Sequence, residues 1–497
     1  MNRGTRLSLF GRAFLALLLT IGFYSLALAI AFGLLYLIYL EFVVLGRINI
    51  RLTIFALIGA VVILWSIIPR PDRFTPPGPR ITRKQFPALF NEIEKVAKLT
   101  GQNMPRDIYL VPDVNAFVAE RGGFMGIGRK RIMGIGFPLF QLMNVDELKA
   151  VLAHEFGHYF GGDTALGPWI YKTREAIIRT TVNVAQANRW LYIPFEAYAK
   201  MFLRVTNAVS RQQEFTADRL AAKTVGAQAV ISGLQKVHKF GYAFNVFLQN
   251  EYAPVIAAGY KPPMLEGFRE FLKSPIVTEA VNNSYQEQLT KGTTNPYDSH
   301  PSLKERIAAL EGLPAGANGN DHPASSLLPA DVDLETLILK QVIREEERFS
   351  SLKDIPWENV AETVFAPQWS DNIKPFRQIL SEITPPSLFD AAQNPSTLFA
   401  RLASTGKILP PNVKIEQVPQ EVQMQVISNI IGMAFAVTLK QNNWKIKTGL
   451  GEDLRFVQAN KEIAPYRLFP KLAARELSRE EWVEYCEKNG LNQFKLE

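Results

Sequence analysis

A single cysteine, Cys486, stands among the 497 residues. No disulfide can close within the chain, and cysteine usage gives no compartment. Histidine is almost as scarce: there are five, at positions 154, 158, 238, 300 and 322. Beyond residue 84 neither sign of charge is in surplus, with 45 basic and 45 acidic residues. The whole net charge of +8 lies in residues 1–84, which hold ten Lys and Arg against Glu41 and Asp72. A basic excess confined to one end argues against a nucleic-acid partner and for a membrane flank.

Long uncharged runs fill that same end. Residues 13–40 carry no charge over 28 positions, and Leu52 to Ile68 none over 17. The first is long enough to span a bilayer with tilt, and the second sits at the lower limit. The segment from Glu41 to Arg51 is too short for a domain, so the runs read as a transmembrane helical hairpin. A cleaved signal peptide ending near Ala27-Leu28-Ala29 is the alternative, but the apolar run continues well past it. Arg3, Arg6 and Arg12 precede the hairpin, and Arg70, Arg73, Arg80, Arg83 and Lys84 come after it. The connecting loop has only Arg47 and Arg51. The positive-inside rule therefore places both ends of the hairpin, and the chain beyond residue 84, in the cytoplasm.

The most informative residues are His154-Glu155-Phe156-Gly157-His158. On a helix, positions four apart share a face, so His154 and His158 can present ring nitrogens to one zinc ion. Glu155 is placed to act on a water that the metal acidifies. The flanks Ala150, Val151, Leu152, Ala153 and Phe156 are apolar, which predicts a buried helix that would not carry these polar groups without partners. Asn144 with Glu147 forms a capping-box pattern at its start, and Gly161-Gly162 a stop.

A hydrolytic zinc site takes three protein ligands and keeps an open position. Glu214 and Asp218, also four apart, lie in Ser210 to Ala222, with the small residues Ala217 and Ala221 allowing another helix to approach. Glu214 is assigned to the zinc. Asp218 then holds a ligand histidine by accepting its other N–H. Taken alone, this segment would read as an exposed amphipathic helix, with Arg211, Asp218 and Arg219 in surface pairs. The upstream motif decides against that.

H-E-x-x-H and then S-R-x-x-E-x-x-A-D resemble the membrane zinc peptidases that include the CaaX prenyl-protein protease and the heat-shock protease HtpX. Further likenesses are Asn115-Ala116-Phe117-Val118 and Gly122-Gly123. Arg131 to Gly136, and Ser299-His300-Pro301 through Arg306-Ile307, add two more. Together they cover about residues 85–312. The resemblance implies that Asn115, Ala116 and Phe117 bind substrate backbone as an added strand. His300 is a candidate hydrogen-bond donor to the developing oxyanion, with a helix-entry residue before Pro301 as the equal alternative. Arg306 is expected to brace the site, against Asp218.

The expected fold is α+β and mostly helical. It comprises a membrane anchor (1–68), a proline-rich linker (69–84), a zinc-peptidase domain (85–312) with a small edge sheet, a second linker (313–332) and a separate α+β C-terminal domain (333–497). Residues 85–100 read as an amphipathic helix and Ile108 to Val111 as a strand. In Tyr159 to Gln213, charges such as Arg174, Arg179, Arg189 and Glu196 interrupt every apolar stretch. That segment reads as amphipathic helices, lying on the membrane around Trp190 to Phe195 or packed as ordinary core. Val422 to Leu439 reads as a buried helix, Trp444 to Lys447 as a strand, and Ser478 with Glu481 as a capping box.

The expected protein is a bacterial inner-membrane zinc endopeptidase acting on polypeptides, with one zinc per chain, the lipid bilayer and no nucleic acid as partners, and a part in membrane-protein quality control. The rival is a non-catalytic anchored scaffold with a structural zinc. An intact Glu155 argues against it, since a structural site has no use for a general base.

Overall fold

The uncharged runs become two antiparallel helices, α1 (Arg3–Tyr39) and α2 (Ile50–Ile67). The computed structural model describes all residues except 1–2, 47, 71–73, 123–128, 160–166, 317–318, 344, 411–412 and 497. Gly161-Gly162, Gly123 and Arg47 therefore lie outside the described residues. The apolar span of the first helix runs over Phe14–Val44, and only 28% of its most apolar window is buried within the protein; for α2 the figure is 33%. Their outer faces expose Phe14, Ile21, Phe32, Leu57, Val61 and Trp65, as a lipid-facing surface requires. Small residues, Ala27, Ala31, Ala56 and Ala60, are fully buried on the inner faces and let the backbones approach. At the far end Thr53 Oγ1 donates to Glu41 Oε2 at 2.9 Å, so the acid beside the loop is paired. Asn49 caps α2, its side chain accepting from the Leu52 N–H,.

The chain divides into two compact units: Met1–Tyr242 with Asn282–Val342, and Ala243–Val281 with Ile343–Glu497. The sequence assigned 243–281 to the peptidase domain; by contacts this stretch clusters with the C-terminal residues.

In the first unit, β1 (Arg80–Ile81), β2 (Asp107–Val111), β3 (Ala116–Arg121) and β4 (Lys130–Gly136) form one sheet in the order β1-β2-β4-β3. β2 and β4 are parallel, and β3 closes an antiparallel hairpin on β4 with Phe117 opposite Gly134 and Val118 opposite Met133. β3 is thus an edge. α3 (Pro87–Thr100) buries Leu89, Ile93, Val96 and Ala97 at helical spacing and ends at Gly101 in the left-handed region, φ 67°, a conformation glycine adopts without steric cost. The short α4 (Leu139–Leu142) leads into α5 (Val145–Gly157). Then come α6 (Gly167–Ala187), the 37-residue α7 (Arg189–Val225) and α8 (Ala227–Phe247).

The second unit is built around the helix Gln420–Gln441. It is long and apolar enough to cross a membrane, but 61% of its most apolar window is buried. Ile427, Ile431, Phe435 and Leu439 are fully buried in a cluster with Phe399, Leu402, Phe469 and Trp482. A helix apolar nearly all round is explained by burial among protein neighbours. A three-stranded antiparallel sheet, Lys445–Lys447, Arg455–Gln458 and Lys461–Ile463, flanks it. The capping box of Ser478 and Glu481 opens the last long helix, Arg479–Asn489.

Candidate metal centre

α5 starts with the capping box read from the sequence. Asn144 Oδ1 accepts from the Glu147 N–H at 2.8 Å, and Glu147 Oε2 accepts from the Asn144 N–H at 2.8 Å, satisfying two of the helix's otherwise unpaired donors. Glu147 is itself buried and also accepts from Lys236 Nζ at 2.6 Å and from Ser232 Oγ, which ties the helix start to α8. Leu152, Ala153 and Phe156 are fully buried; a side chain the size of Phe156 gains about 1.5–3 kcal/mol from such burial. The α-helix proper ends at Gly157, but His158 keeps helical angles, φ −62° and ψ −20°. The four-residue spacing of the histidines therefore still puts them on one face.

α7 packs across α5. A Cβ on Gly157 would stand 2.7 Å from Ala217 Cα and 2.9 Å from its Cβ, so the glycine of the motif and the alanine of α7 meet backbone to backbone. That close approach brings the two polar pairs together. His154 Nδ1 lies 2.9 Å from Asp218 Oδ1, and its Nε2 lies 3.4 Å from Glu214 Oε2. His158 Nε2 lies 3.7 Å from Glu214 Oε1. The two imidazole rings are 4.8 Å apart between centroids and nearly perpendicular. His154, Glu155 and His158 also offer ligand atoms within 4.8 Å of one another. Of the two glutamates, Glu214 is the one facing both Nε2 atoms, whereas Glu155 accepts from the Val118 backbone N–H.

Arg306 comes from the helix Leu303–Leu310, which opens on a capping box of Ser302 with Glu305. The guanidinium is 5% exposed and forks onto Asp218, Nε to Oδ2 at 2.9 Å and Nη2 to Oδ1 at 2.6 Å. Its Nη1 is 3.5 Å from Glu214 Oε2. The paired geometry makes burial of these charges tolerable; removing one partner of such a set costs about 3–5 kcal/mol. His300 sits on a loop held to α7: Asn207 Nδ2 donates to Tyr297 O, and Arg211 Nη1 to Pro296 O and Asp298 O. His300 Nδ1 lies 2.8 Å from Glu214 Oε1, and the side chain is 65% exposed. The histidine thus meets a candidate metal ligand directly.

Electrostatics are set by this packing. Burial opposes a charged His154, but Asp218 and Glu214 outweigh it and raise its pKa to about 9,. Burial, with the neighbouring His154, lowers His158 to about 4, so that ring is neutral and keeps a lone pair. Burial raises the Glu155 carboxyl to about 7. For Glu214 burial pulls upward, but hydrogen bonds to His154 and His300 prevail and keep it ionised. Glu214 Oε2 is buried with no hydrogen-bond partner. An ionised carboxylate oxygen with only long contacts, to His154 Nε2 at 3.4 Å and Arg306 Nη1 at 3.5 Å, is a costly arrangement on its own terms,. A divalent cation shared with the histidine nitrogens would satisfy it.

Two residues not anticipated from the sequence complete the site. Tyr159 comes directly after the motif and lies one turn beyond Glu155, a spacing that could have flagged it. Its hydroxyl donates to Val118 O at 3.0 Å, and Arg131 lies over its ring at 4.3 Å. With Glu155 on the N–H and Tyr159 on the carbonyl, both backbone groups of Val118 are taken by the end of α5. In an antiparallel pair successive residues face opposite edges. Phe117 and Asn115 therefore turn toward β4, as the bond from the Gly136 N–H to Asn115 O at 2.8 Å shows. Ala116 faces the open side, its N–H already accepted by Asn115 Oδ1 at 2.9 Å. Of the three residues expected to receive substrate backbone, the register leaves the Ala116 carbonyl.

Two histidines a helical turn apart, a glutamate beside the first and Glu214 and Asp218 on the helix packed across them form the pattern of a metalloprotease of the H-E-x-x-H type,. Residues 83–313 match peptidase family M48. Protease HtpX of Buchnera aphidicola is 27% identical over 245 residues, covering 45% of this chain and 72% of the relative. The Protease HtpX homolog of Nitrosomonas europaea is 27% identical over 242 residues, 45% and 70% of the two chains. Protease HtpX of Idiomarina loihiensis is 29% identical over 202 residues, 36% and 68%. No solved structure matches the chain. Over that segment the chain is similar to HtpX proteases.

Proposed function

We propose that the protein is a zinc endopeptidase that cleaves polypeptides at the cytoplasmic face of a bacterial inner membrane, in the manner of membrane-protein quality control. The observation that carries this reading is the buried carboxylate of Glu214, whose Oε2 makes no hydrogen bond and faces His154 Nε2, with His158 Nε2 against its other oxygen. His154, His158 and Glu214 would hold the ion. Zinc, when bound there, supplies Lewis acidity, acidifying a water and polarising a carbonyl. Asp218 accepts the Nδ1–H of His154, so that an ion displacing the proton on Nε2 would meet that nitrogen's lone pair,. Arg306 balances the charge of Asp218. The Glu155 carboxylate, held in place by the Val118 N–H, takes the proton from the attacking water. The Ala116 carbonyl accepts a hydrogen bond from an extended substrate laid along β3. His300 is set to donate to the developing oxyanion once substrate draws it from Glu214.

Purified full-length protein in detergent should cleave an unfolded polypeptide such as casein, lose that activity on treatment with 1,10-phenanthroline, and regain it with about one equivalent of zinc. Undiminished cleavage by the stripped protein, or none after zinc loading, would overturn the proposal.

The orientation rests on the basic residues flanking the hairpin. With the buried Cys486 replaced by alanine, single cysteines at Ile48 and Asn320 report it. In intact cells with a permeable outer membrane, an impermeant maleimide should label position 48 and spare 320. The reverse pattern would place the peptidase outside the cytoplasm.

A further inference from the structure

His300 reaches the site from a stretch of chain with no core of its own. Every residue from 291 to 300 is exposed or half-buried, so apolar packing does not set where this backbone stands. Its internal shape is local. The Asp298 N–H bonds to Asn295 O at 2.9 Å, the Tyr297 N–H to Asn295 Oδ1 at 3.0 Å, and the Ser302 N–H to Thr294 Oγ1 at 2.8 Å. Those bonds fold the loop upon itself but do not attach it to α5 or α7.

The attachment comes from one face of α7. Asn207, Arg211, Glu214 and Asp218 follow one another at steps of four, three and four residues, which keeps them on a single stripe of the helix. The chain from 296 to 306 lies along that stripe in matching order. Asn207 Nδ2 donates to Tyr297 O at 2.5 Å, and Arg211 Nη1 donates to Pro296 O at 3.1 Å and to Asp298 O at 2.7 Å. One turn further, Glu214 Oε1 meets His300 Nδ1 at 2.8 Å, and a turn beyond that Asp218 receives Arg306. Three successive carbonyls, of residues 296, 297 and 298, are thus held by two side chains of α7.

Stability alone does not call for this arrangement. Asn207 is fully buried and its Oδ1 has no hydrogen-bond partner, a cost that an apolar side chain of the same size would not carry. Arg211 directs a planar guanidinium at two carbonyls of a loop that buries nothing. We propose that Asn207 and Arg211 are positioning residues for the peptidase reaction: they hold the backbone of residues 296–298 and so set His300 beside Glu214, within reach of the developing oxyanion. This role rests on His300 donating to that oxyanion, as proposed above. Only Ser299 separates the clamped Asp298 from His300, so the held carbonyl lies within about 7 Å of the histidine's Cα. Such a donor acts from a fixed place, because a displacement of about 1 Å costs on the order of 10²-fold in rate. Both residues act through His300, and neither is among the candidate metal ligands.

Arg211→Ala, Arg211→Lys, His300→Ala and the double variant Arg211→Ala/His300→Ala are compared as full-length, zinc-loaded proteins cleaving casein. Amide hydrogen exchange is followed on the same proteins without metal. Arg211→Ala should speed exchange in residues 297–302 and leave α5 and α7 protected. It should lower kcat by about 10- to 100-fold with KM changed by less than about twofold, at about one zinc per chain. Arg211→Lys keeps the charge but loses the planar group that two carbonyls share, and should recover part of the loss. In the His300→Ala background Arg211→Ala should change kcat by less than about twofold, because nothing is left for it to place. An equal fall in both backgrounds would overturn the proposal while leaving His300 its role. Unchanged exchange in residues 297–302 would overturn it as well. Near-normal kcat in His300→Ala would remove the oxyanion role itself, and the positioning role with it.

Discussion

Glu155→Gln should keep the fold and the zinc, and lower kcat/KM on an unfolded protein substrate by about 10²- to 10⁴-fold, the share a positioned general base supplies. The amide matches the carboxylate in shape, and its oxygen can still accept the Val118 N–H that Glu155 accepts, so the edge strand stays in place. What is lost is the ability to take a proton. The measurement pairs steady-state cleavage with metal content, which should stay near one zinc per chain. Near-normal turnover by a metal-loaded variant would remove Glu155 from the mechanism. The same variant, expressed in membranes, should retain uncleaved polypeptides, and their identification would give the substrates.

Glu214→Ala should abolish stable zinc binding while the helices remain, because it deletes the carboxylate that faces both histidines. Zinc content after dialysis against a weak chelator should fall to background, with far-UV circular dichroism unchanged. Asp218→Ala should weaken zinc affinity by about 10- to 100-fold, as expected for a group that orients a ligand without touching the metal. Asp218→Asn should recover part of that loss, since its side-chain oxygen can still accept from His154 Nδ1. If Glu214→Ala left zinc affinity unchanged, the third ligand would be another residue. His300, 2.8 Å from the same carboxylate, would be the first to test.

The site was legible because its chemistry is written in local spacing. His154 and His158, and Glu214 and Asp218, are each four residues apart, and each pair lies on one face of its helix. Asn144 with Glu147 and Ser302 with Glu305 announce helix starts by the same kind of short-range rule. The brace between Arg306 and Asp218 spans 88 residues, and only the likeness to known peptidases pointed to it. Tyr159 and Arg131 were missed because a tyrosine after a motif and an arginine on a strand have no special meaning until Val118 is seen between α5 and β4. The substrate-binding expectation for Asn115, Ala116 and Phe117 needed the strand register, since a one-residue shift turns a backbone toward the opposite edge.

The packing of α6 and α7 along the α1–α2 hairpin lay beyond composition. Arg174, Arg179, Arg189 and Glu196 break every apolar run there, and hydropathy counts charges without knowing their partners. Arg179 spends its donors on the exposed carbonyls at the end of α2, which no single-chain window can register. Residues 243–281 illustrate the same limit. They lie within the peptidase segment in sequence but cluster with Ile343–Glu497, because contacts between distant segments decide which core a helix joins. The sequence by itself determined the two long apolar helices, the H-E-x-x-H helix and the helix that carries Glu214 and Asp218, since each is set by a period or a spacing within about twenty residues. Tertiary structure alone decided the facing of Glu214 on both histidines, the pinning of Val118 and the packing of α6 and α7 on the hairpin. Those depend on close approaches such as Gly157 on Ala217 and Leu191 on Gly59, where the absence of a side chain acquires meaning only from what packs against it.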